Sequence, residues 1–153
     1  MARAVLLTGS NMGEKRYLLN RACTLIAKQI GPVVCESSIY ESEPWGFQSD
    51  ETFLNQALLI ETKLEPIALL NAIQTIEKEL GRKRKEAPPD EVRIYESRPI
   101  DIDILFYDDL ILNEERLRIP HPLLAEREFV LVPLREILPD YIHPVLQKPV
   151  CDL

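Results

Sequence analysis

The feature that most constrains the fold is the order in which helical and strand periodicities alternate along the chain. Apolar residues recur at three- and four-residue spacing in two segments, 18–30 and 66–80, and this spacing predicts two amphipathic helices. Each helix has a stop signal, Gly31 followed by Pro32 for the first and Gly81 for the second. The β-prone segments are 4–9, 33–42, 52–62 and the strand within 97–109. The order is therefore β-α-β-β-α-β, the split βαβ pattern of ferredoxin-like folds.

The last third of the chain adds further elements to this core. The segments "LILNEERLRIPHP" and "EFVLVPLREIL" and a proline-spaced tail predict additional strands and a short helix packed on the sheet. A chain of 153 residues with 46% hydrophobic content fits one domain with its own core. We therefore expect an α+β protein in which residues 1–153 form a single domain, a ferredoxin-like βαββαβ core with C-terminal additions.

Charge and hydropathy exclude several partner classes. The formal net charge is −7, which argues against a general nucleic-acid or anionic-membrane surface. No apolar run approaches the roughly 18 residues of a membrane span, and the N-terminus turns polar too early for a signal peptide. We expect a cytoplasmic protein that binds neither nucleic acid nor membrane.

Two acids interrupt the strand in "SRPIDIDILFYDD", residues 97–109. Because side chains alternate across a strand, Asp101 and Asp103 share one face and the isoleucines share the other. At roughly 6 to 7 Å, two full charges repel by about 2 to 3 kcal/mol at an effective dielectric near 20. The pair is either the solvated outer face of an edge strand or a Mg²⁺ site completed by water and phosphate oxygens.

A long charged segment precedes this strand. Residues 81–98 hold six basic and four acidic residues and two prolines, without apolar periodicity. Taken alone, the segment is as compatible with a solvated linker as with a functional loop. As a loop it can bring Arg82, Arg84 and Arg98 beside a metal site, an arrangement that suits a nucleoside triphosphate. No Walker A motif supplies an alternative phosphate grip.

Two further groups of side chains are chemically informative. His121, between two prolines, is either a turn histidine or a donor to phosphate near Arg116, Arg118 and Arg127. The aromatic residues around 45–53 are either core or part of a ligand site. Asn55 favours a site, because its amide can read the edge of a planar heterocycle while aromatic rings cover the faces.

Several motifs together resemble the 6-hydroxymethyl-7,8-dihydropterin pyrophosphokinase family of folate biosynthesis. They are "GSNMG", "SSIYESEPWGFQ", "FLNQALLIET", "IEKELGRKRK", "SRPIDIDIL" and "IPHPLLAEREFVLVPLREI", in matching order over nearly the whole chain. The resemblance implies a three-layer αβα sandwich. It also implies transfer of the β,γ-diphosphate of ATP, as a unit, to the pterin hydroxymethyl oxygen, with release of AMP.

The resemblance also assigns roles to individual residues. It implies that Asp101 and Asp103 bind two Mg²⁺ ions, and that Arg82 and Arg98 act at the phosphates and the transition state. The implied ATP-side positions are Gln74, Glu77, Arg84, Ile104, Arg116 and His121. The implied pterin-side positions are Ser42, Trp45, Phe53, Asn55, Arg127 and Phe129. The expected partners are ATP and a reduced pterin, bound by a monomer.

Two rival functions remain at the level of sequence. A ferredoxin-like module that only senses a nucleotide would share the fold. It has no need of paired acids facing several arginines. A metal-dependent nucleotidyltransferase would use similar groups but would release pyrophosphate rather than AMP.

Overall fold

An antiparallel sheet forms the centre of the molecule, and a computed structural model describes residues 1–42, 52–81 and 99–153. The core elements confirm the predicted order β-α-β-β-α-β and the C-terminal additions. The strands are β1 (Ala2–Ser10), β2 (Val33–Glu36), β3 (Tyr40–Ser42), β4 (Phe53–Thr62), β5 (Asp101–Tyr107), β6 (Leu112–Asn113) and β7 (Arg118–Ile119). The helices are α1 (Lys15–Gln29), α2 (Pro66–Glu79) and α3 (Glu128–Ile137), with 3₁₀ turns at Leu124–Glu126 and Val150–Asp152.

The strand order is β2-β4-β1-β5, with β3 also paired to β4. Strand β4 lies between β1 and β2 and runs antiparallel to both, which is the inserted strand of a split βαβ unit. Among the residues that the structure describes, strand β5 pairs with β1 alone, so it forms an edge of the described sheet.

The predicted strand segment 33–42 forms two short strands rather than one. Ser37, which lies between them, is buried, and its Oγ accepts the amide hydrogen of Ala57 on β4 at 2.9 Å. The carbonyl of Ser37 accepts from the side chain of Gln56 at 2.8 Å. A side chain thus takes the place of a regular backbone partner, and the ladder is interrupted before it resumes at Tyr40.

Helices cover both faces of the sheet, as the expected three-layer sandwich requires. Helices α1 and α2 pack on one face against strand residues that include Leu6, Leu58 and Ile102. Helix α3 packs on the other face against residues that include Leu7 and Phe106. The sheet is therefore buried on both sides, which explains why β1 and β4 read as nearly continuous apolar runs.

A bulge in β5 changes the face of the sheet to which the following β5 residues point. The register with β1 shifts between Val5 and Leu6, and Leu105 is the extra residue on β5. Ile104 consequently packs with α1 and α2, whereas Leu105 and Phe106 both pack with α3.

Within the described parts of the chain, none of the helices combines the length and the apolar character needed to cross a membrane.

Gly31 ends α1 at a point where only glycine fits. Its amide donates to the carbonyl of Ile26 at 3.0 Å, and an added Cβ would lie 1.9 Å from the carbonyl oxygen of Glu61. The chain can pass from α1 to β2 beside β4 only because this position has no side chain.

We predict that Gly31→Ala destabilises the protein by about 1 to 3 kcal/mol, because the new methyl group must displace backbone atoms of β4. The free energy of unfolding in urea measures this loss. Lys28→Ala, an exposed change in the last turn of the same helix, is the control and should stay within about 0.5 kcal/mol of the wild type. Equal stability of the wild type and Gly31→Ala would contradict the close approach of Gly31 to the backbone of Glu61.

Candidate active site

One row of paired residues crosses the sheet and brings the two chemical halves of the predicted site together. Gly9 on β1 pairs with Asn55 on β4 and with Asp101 on β5. Directly paired residues of antiparallel strands point to the same face. Two residues further along, Leu7 pairs with Asp103, so both acids lie on the face that α3 covers.

The structure supports part of each interpretation of the acid pair. In the described part of the sheet β5 is an edge strand, as a solvated pair would require, but the two carboxyl side chains are half-buried rather than fully exposed. Ile102 and Ile104, on the other face, are buried in the core. The alternation therefore holds through Ile104, and the acids share their face with Asn55.

Glu77 on α2 holds the backbone between these acids from the opposite face of the sheet. Its side chain is only 5% exposed, and its Oε2 accepts the amide hydrogen of Ile102 at 2.9 Å. A buried acceptor that satisfies a backbone amide avoids the cost of leaving either group without a partner. Helix α2 thus fixes the position from which Asp101 and Asp103 project.

The polar side chains of α2 form a stripe beside β5. Asn71, Gln74 and Glu77 follow one another at three-residue spacing and therefore lie along one side of the helix. Arg116 reaches this stripe, since its Nη2 donates to Oδ1 of Asn71 at 2.6 Å. Three of the predicted ATP-side residues, Gln74, Glu77 and Arg116, are thereby brought to the same flank of the sheet.

His121 is attached to β5 through the bulge. Its amide donates to the carbonyl of Leu105, the extra residue of the bulge, at 3.1 Å. Its Nδ1 accepts the amide hydrogen of Leu123 at 3.3 Å, so in the neutral ring the proton is on Nε2. Burial, and then the positive charge of Arg127, lower the pKa of His121, while Asp101 acts in the opposite direction. The imidazole is therefore a neutral donor near an acid and a cation.

The residues predicted for a heterocycle lie at the other end of the row. Asn55 is 3% exposed, and its Nδ2 donates to Oγ of Ser42 at 2.9 Å. Phe53 and Phe129 are both half-buried, and Phe129 packs against the apolar core on the α3 face of the sheet. The guanidinium carbon of Arg127 lies 5.6 Å from the centroid of the Phe129 ring.

Gly9 is a site residue that the sequence analysis missed. An added Cβ would lie 2.9 Å from Oδ1 of Asn55 and 3.9 Å from Cδ1 of Phe53. The carboxamide and the ring therefore approach the bare backbone of β1. A glycine at the end of an apolar strand is a signal of such an approach, although it equally suits the following turn.

The remaining predicted residues have mixed outcomes. The side chain of Ile104 is 4% exposed and belongs to the core, so only its backbone is available to a ligand. Trp45, Arg82, Arg84 and Arg98 lie outside the described residues.

The donors present fit one class of metal ion. Within residues 1–42, 52–81 and 99–153, no group of three or more His, Cys, Asp or Glu side chains could hold a metal. The pair Asp101 and Asp103 offers carboxylate oxygens alone. This suits Mg²⁺, which is usually bound by one or two carboxylates and keeps water and substrate phosphate oxygens as its other ligands.

Comparison with known proteins identifies relatives over almost the whole chain. Residues 5–139 match the family described as 7,8-dihydro-6-hydroxymethylpterin-pyrophosphokinase (HPPK). A 2-amino-4-hydroxy-6-hydroxymethyldihydropteridine pyrophosphokinase of Porphyromonas gingivalis is 37% identical over 150 residues, which cover 97% of this chain and 99% of the relative. An enzyme of the same name from Methylorubrum extorquens is 43% identical over 143 residues, 93% of this chain and 86% of the relative.

Solved structures share the fold. The wild-type HPPK-DHPS of Plasmodium falciparum superposes with a TM-score of 0.75 at 18% identity and covers 99% of this chain. This chain spans only 44% of that longer chain.

We predict that Glu77→Ala lowers the free energy of unfolding by about 1 to 3 kcal/mol, because it leaves the Ile102 amide without its acceptor. Glu77→Gln should cost less, since a carboxamide oxygen can still accept. Urea unfolding of both variants tests this, with the exposed Glu79→Ala as the control. If Glu77→Ala lowers the free energy of unfolding no more than Glu79→Ala does, the hydrogen bond from Ile102 to Glu77 does not stabilise the fold.

Proposed function

The chain belongs to the 7,8-dihydro-6-hydroxymethylpterin-pyrophosphokinase family, and we propose from its site how its residues share the work of the reaction. The protein transfers the pyrophosphoryl group of ATP to 6-hydroxymethyl-7,8-dihydropterin in folate biosynthesis. Because the β- and γ-phosphates move as one unit, the nucleotide product is AMP.

The observation that carries the proposal is the row Asn55–Gly9–Asp101. Two strand spacings separate Asn55 from Asp101, about 10 Å. A pterin ring read by Asn55 and extending over Gly9 would bring its hydroxymethyl group towards the carboxylates. A triphosphate held there would meet it, and such alignment of two reactants is a large part of catalysis.

Asp101 and Asp103 are proposed to bind two Mg²⁺ ions together with the phosphates of ATP. When bound, Mg²⁺ would neutralise charge on the transferring phosphate oxygens. The acids would in turn lose their mutual repulsion. Glu77 would keep their strand in place through the Ile102 amide.

His121 is proposed to bind phosphate oxygens beside this pair, and Arg127 is proposed as a further cation on the pterin side. Since Nδ1 of His121 already accepts a hydrogen bond, the ring can donate from Nε2 but is not placed to act as a base through Nδ1. Burial and Arg127 lower the pKa of His121 in the ligand-free protein, which favours the neutral ring with its donor at Nε2.

Arginines from the segment between α2 and β5 would complete the phosphate site. Arg82 and Arg98 are proposed at the transition state and Arg84 at bound ATP, because a guanidinium can contact two phosphate oxygens at once. The rest of ATP is assigned to the flank of α2 and β5, where Gln74, Glu77, Arg116 and the backbone of Ile104 would contact it.

The pterin is proposed to bind at the other end of the row. The Asn55 carboxamide would pair with its edge, supported by Ser42 and by Trp45. Phe53 and Phe129 would cover its faces, as aromatic rings do for planar heterocycles.

The nucleotide-sensing module is disfavoured by membership of an enzyme family. A nucleotidyltransferase differs in its product, so an assay of products separates it. We further propose that residues 1–153 form one domain, because β1 contributes to both core clusters. We propose that this domain acts as a monomer, because every residue assigned to the site comes from one chain. The cytoplasm is the proposed location, since ATP is the phosphate donor.

We predict that the protein, incubated with ATP, Mg²⁺ and 6-hydroxymethyl-7,8-dihydropterin, forms AMP and the pterin diphosphate in equal amounts. Anion-exchange chromatography of the nucleotides and ³¹P NMR of the pterin product measure both. Omission of Mg²⁺ should abolish turnover. Formation of ADP, or of pyrophosphate with an adenylylated pterin, would contradict the reaction.

The same assay tests the assignment of the acids. Asp101→Asn and Asp103→Asn keep the size of the side chain but remove its charge, and each should lower kcat by at least about 10²-fold. Asp109→Asn, an exposed acid just beyond β5, is the matched control and should turn over normally. Near-normal turnover in both folded site variants would remove the acids from the metal site.

A further inference from the structure

We propose that Glu136, near the end of α3, is a positioning residue for the pterin subsite. It fixes β3 against α3, and β3 holds the hydroxyl group that orients Asn55. The inference rests on the proposed binding of the pterin at Asn55.

The carboxylate of Glu136 collects several donors from the chain around β3. Its two oxygens lie 3.0 and 3.1 Å from the amide nitrogen of Ser38, and Oε2 accepts from the Ser38 hydroxyl at 3.3 Å. Its Oε1 accepts from the hydroxyl of Tyr40 at 2.6 Å. Hydrogen bonds from Tyr40 and then from the Ser38 amide lower the pKa of Glu136, so it is ionised at neutral pH. One anion thus binds the backbone before β3 and a side chain of β3.

These contacts compensate for an interruption in the sheet. Ser38 lies in the gap between β2 and β3, where the ladder on β4 is broken. Beyond the gap, and within the described residues, Tyr40, Glu41 and Ser42 of β3 pair with β4. The bonds from Ser38 and Tyr40 to Glu136 add to this pairing and tie the start of β3 to α3.

Strand β3 leads directly to Asn55. Tyr40 pairs with Asn55, and Ser42 pairs with Phe53. The Ser42 hydroxyl accepts from Nδ2 of Asn55 at 2.9 Å. This bond occupies one amide hydrogen and fixes the plane of the carboxamide, whose Oδ1 faces Gly9. Displacement of β3 would therefore rotate the group that is proposed to read the pterin.

The same helix carries a ring of the subsite. Phe129 lies seven residues before Glu136 on α3, two turns away on the same side and about 10 Å along the axis. Holding β3 to α3 through Glu136 therefore also sets the distance between the Phe129 ring and the Asn55 edge. The two pterin contacts come from different layers of the fold, and Glu136 joins those layers.

The test compares Tyr40→Phe, which removes one hydroxyl, with Glu136→Gln, which removes the charge. The KM values for pterin and ATP and the Kd for 6-hydroxymethyl-7,8-dihydropterin are measured for each. We expect pterin KM and Kd to rise roughly three- to tenfold, while the KM for ATP changes less than about twofold. The double variant should lose less than the sum of the two single losses, because both changes weaken the same contact between Tyr40 and residue 136.

Asp140→Asn, an exposed acid just after α3, is the matched control for charge and should leave all three constants unchanged. Unchanged pterin constants in both variants, or equal rises for pterin and ATP, would overturn the inference. If Glu136→Gln does not fold, Tyr40→Phe still decides it. Failure of the wild-type protein to form AMP would instead count against the proposed function.

Discussion

The pairing of β1 with both of its neighbours is the constraint on which the rest of the structure depends. Every residue from Ala2 to Ser10 has a partner on β4, and β5 pairs along the other side. This register alone decides that Asn55 and Asp101 meet across Gly9. A shift by one residue would turn both side chains to the opposite face, towards α1 and α2.

The layers around this sheet divide the work of the site. Helix α2 holds the acidic strand through Glu77, and α3 carries Phe129 and contacts β3 through Glu136. His121 follows the bulge at Leu105, whose carbonyl accepts its amide hydrogen. The groups proposed to contact the substrates are therefore held by elements packed on both faces. Such fixed donors need little reorganisation when charge develops on the phosphates.

Local periodicity was enough to predict the element order and the shared face of Asp101 and Asp103, because both depend on residues close in sequence. Pairing across the sheet was not predictable in this way. The role of Gly9, the bulge at Leu105 and the bond from Ile102 to Glu77 all depend on register between distant segments. The break at Ser37 was missed because a side-chain hydroxyl replaces a backbone partner there. Residue roles came from family resemblance and stay proposals.

A crystal structure with Mn²⁺ in place of Mg²⁺, a non-hydrolysable ATP analogue and 6-hydroxymethyl-7,8-dihydropterin would show directly whether the acids bind the metal ions and Asn55 binds the pterin. Anomalous scattering locates the manganese ions without reference to the ligands. We expect two peaks bound by Asp101 and Asp103, with the pterin edge on Asn55 and its hydroxymethyl group facing the β-phosphate. Manganese bound elsewhere, or a pterin on the face of α1 and α2, would contradict this arrangement.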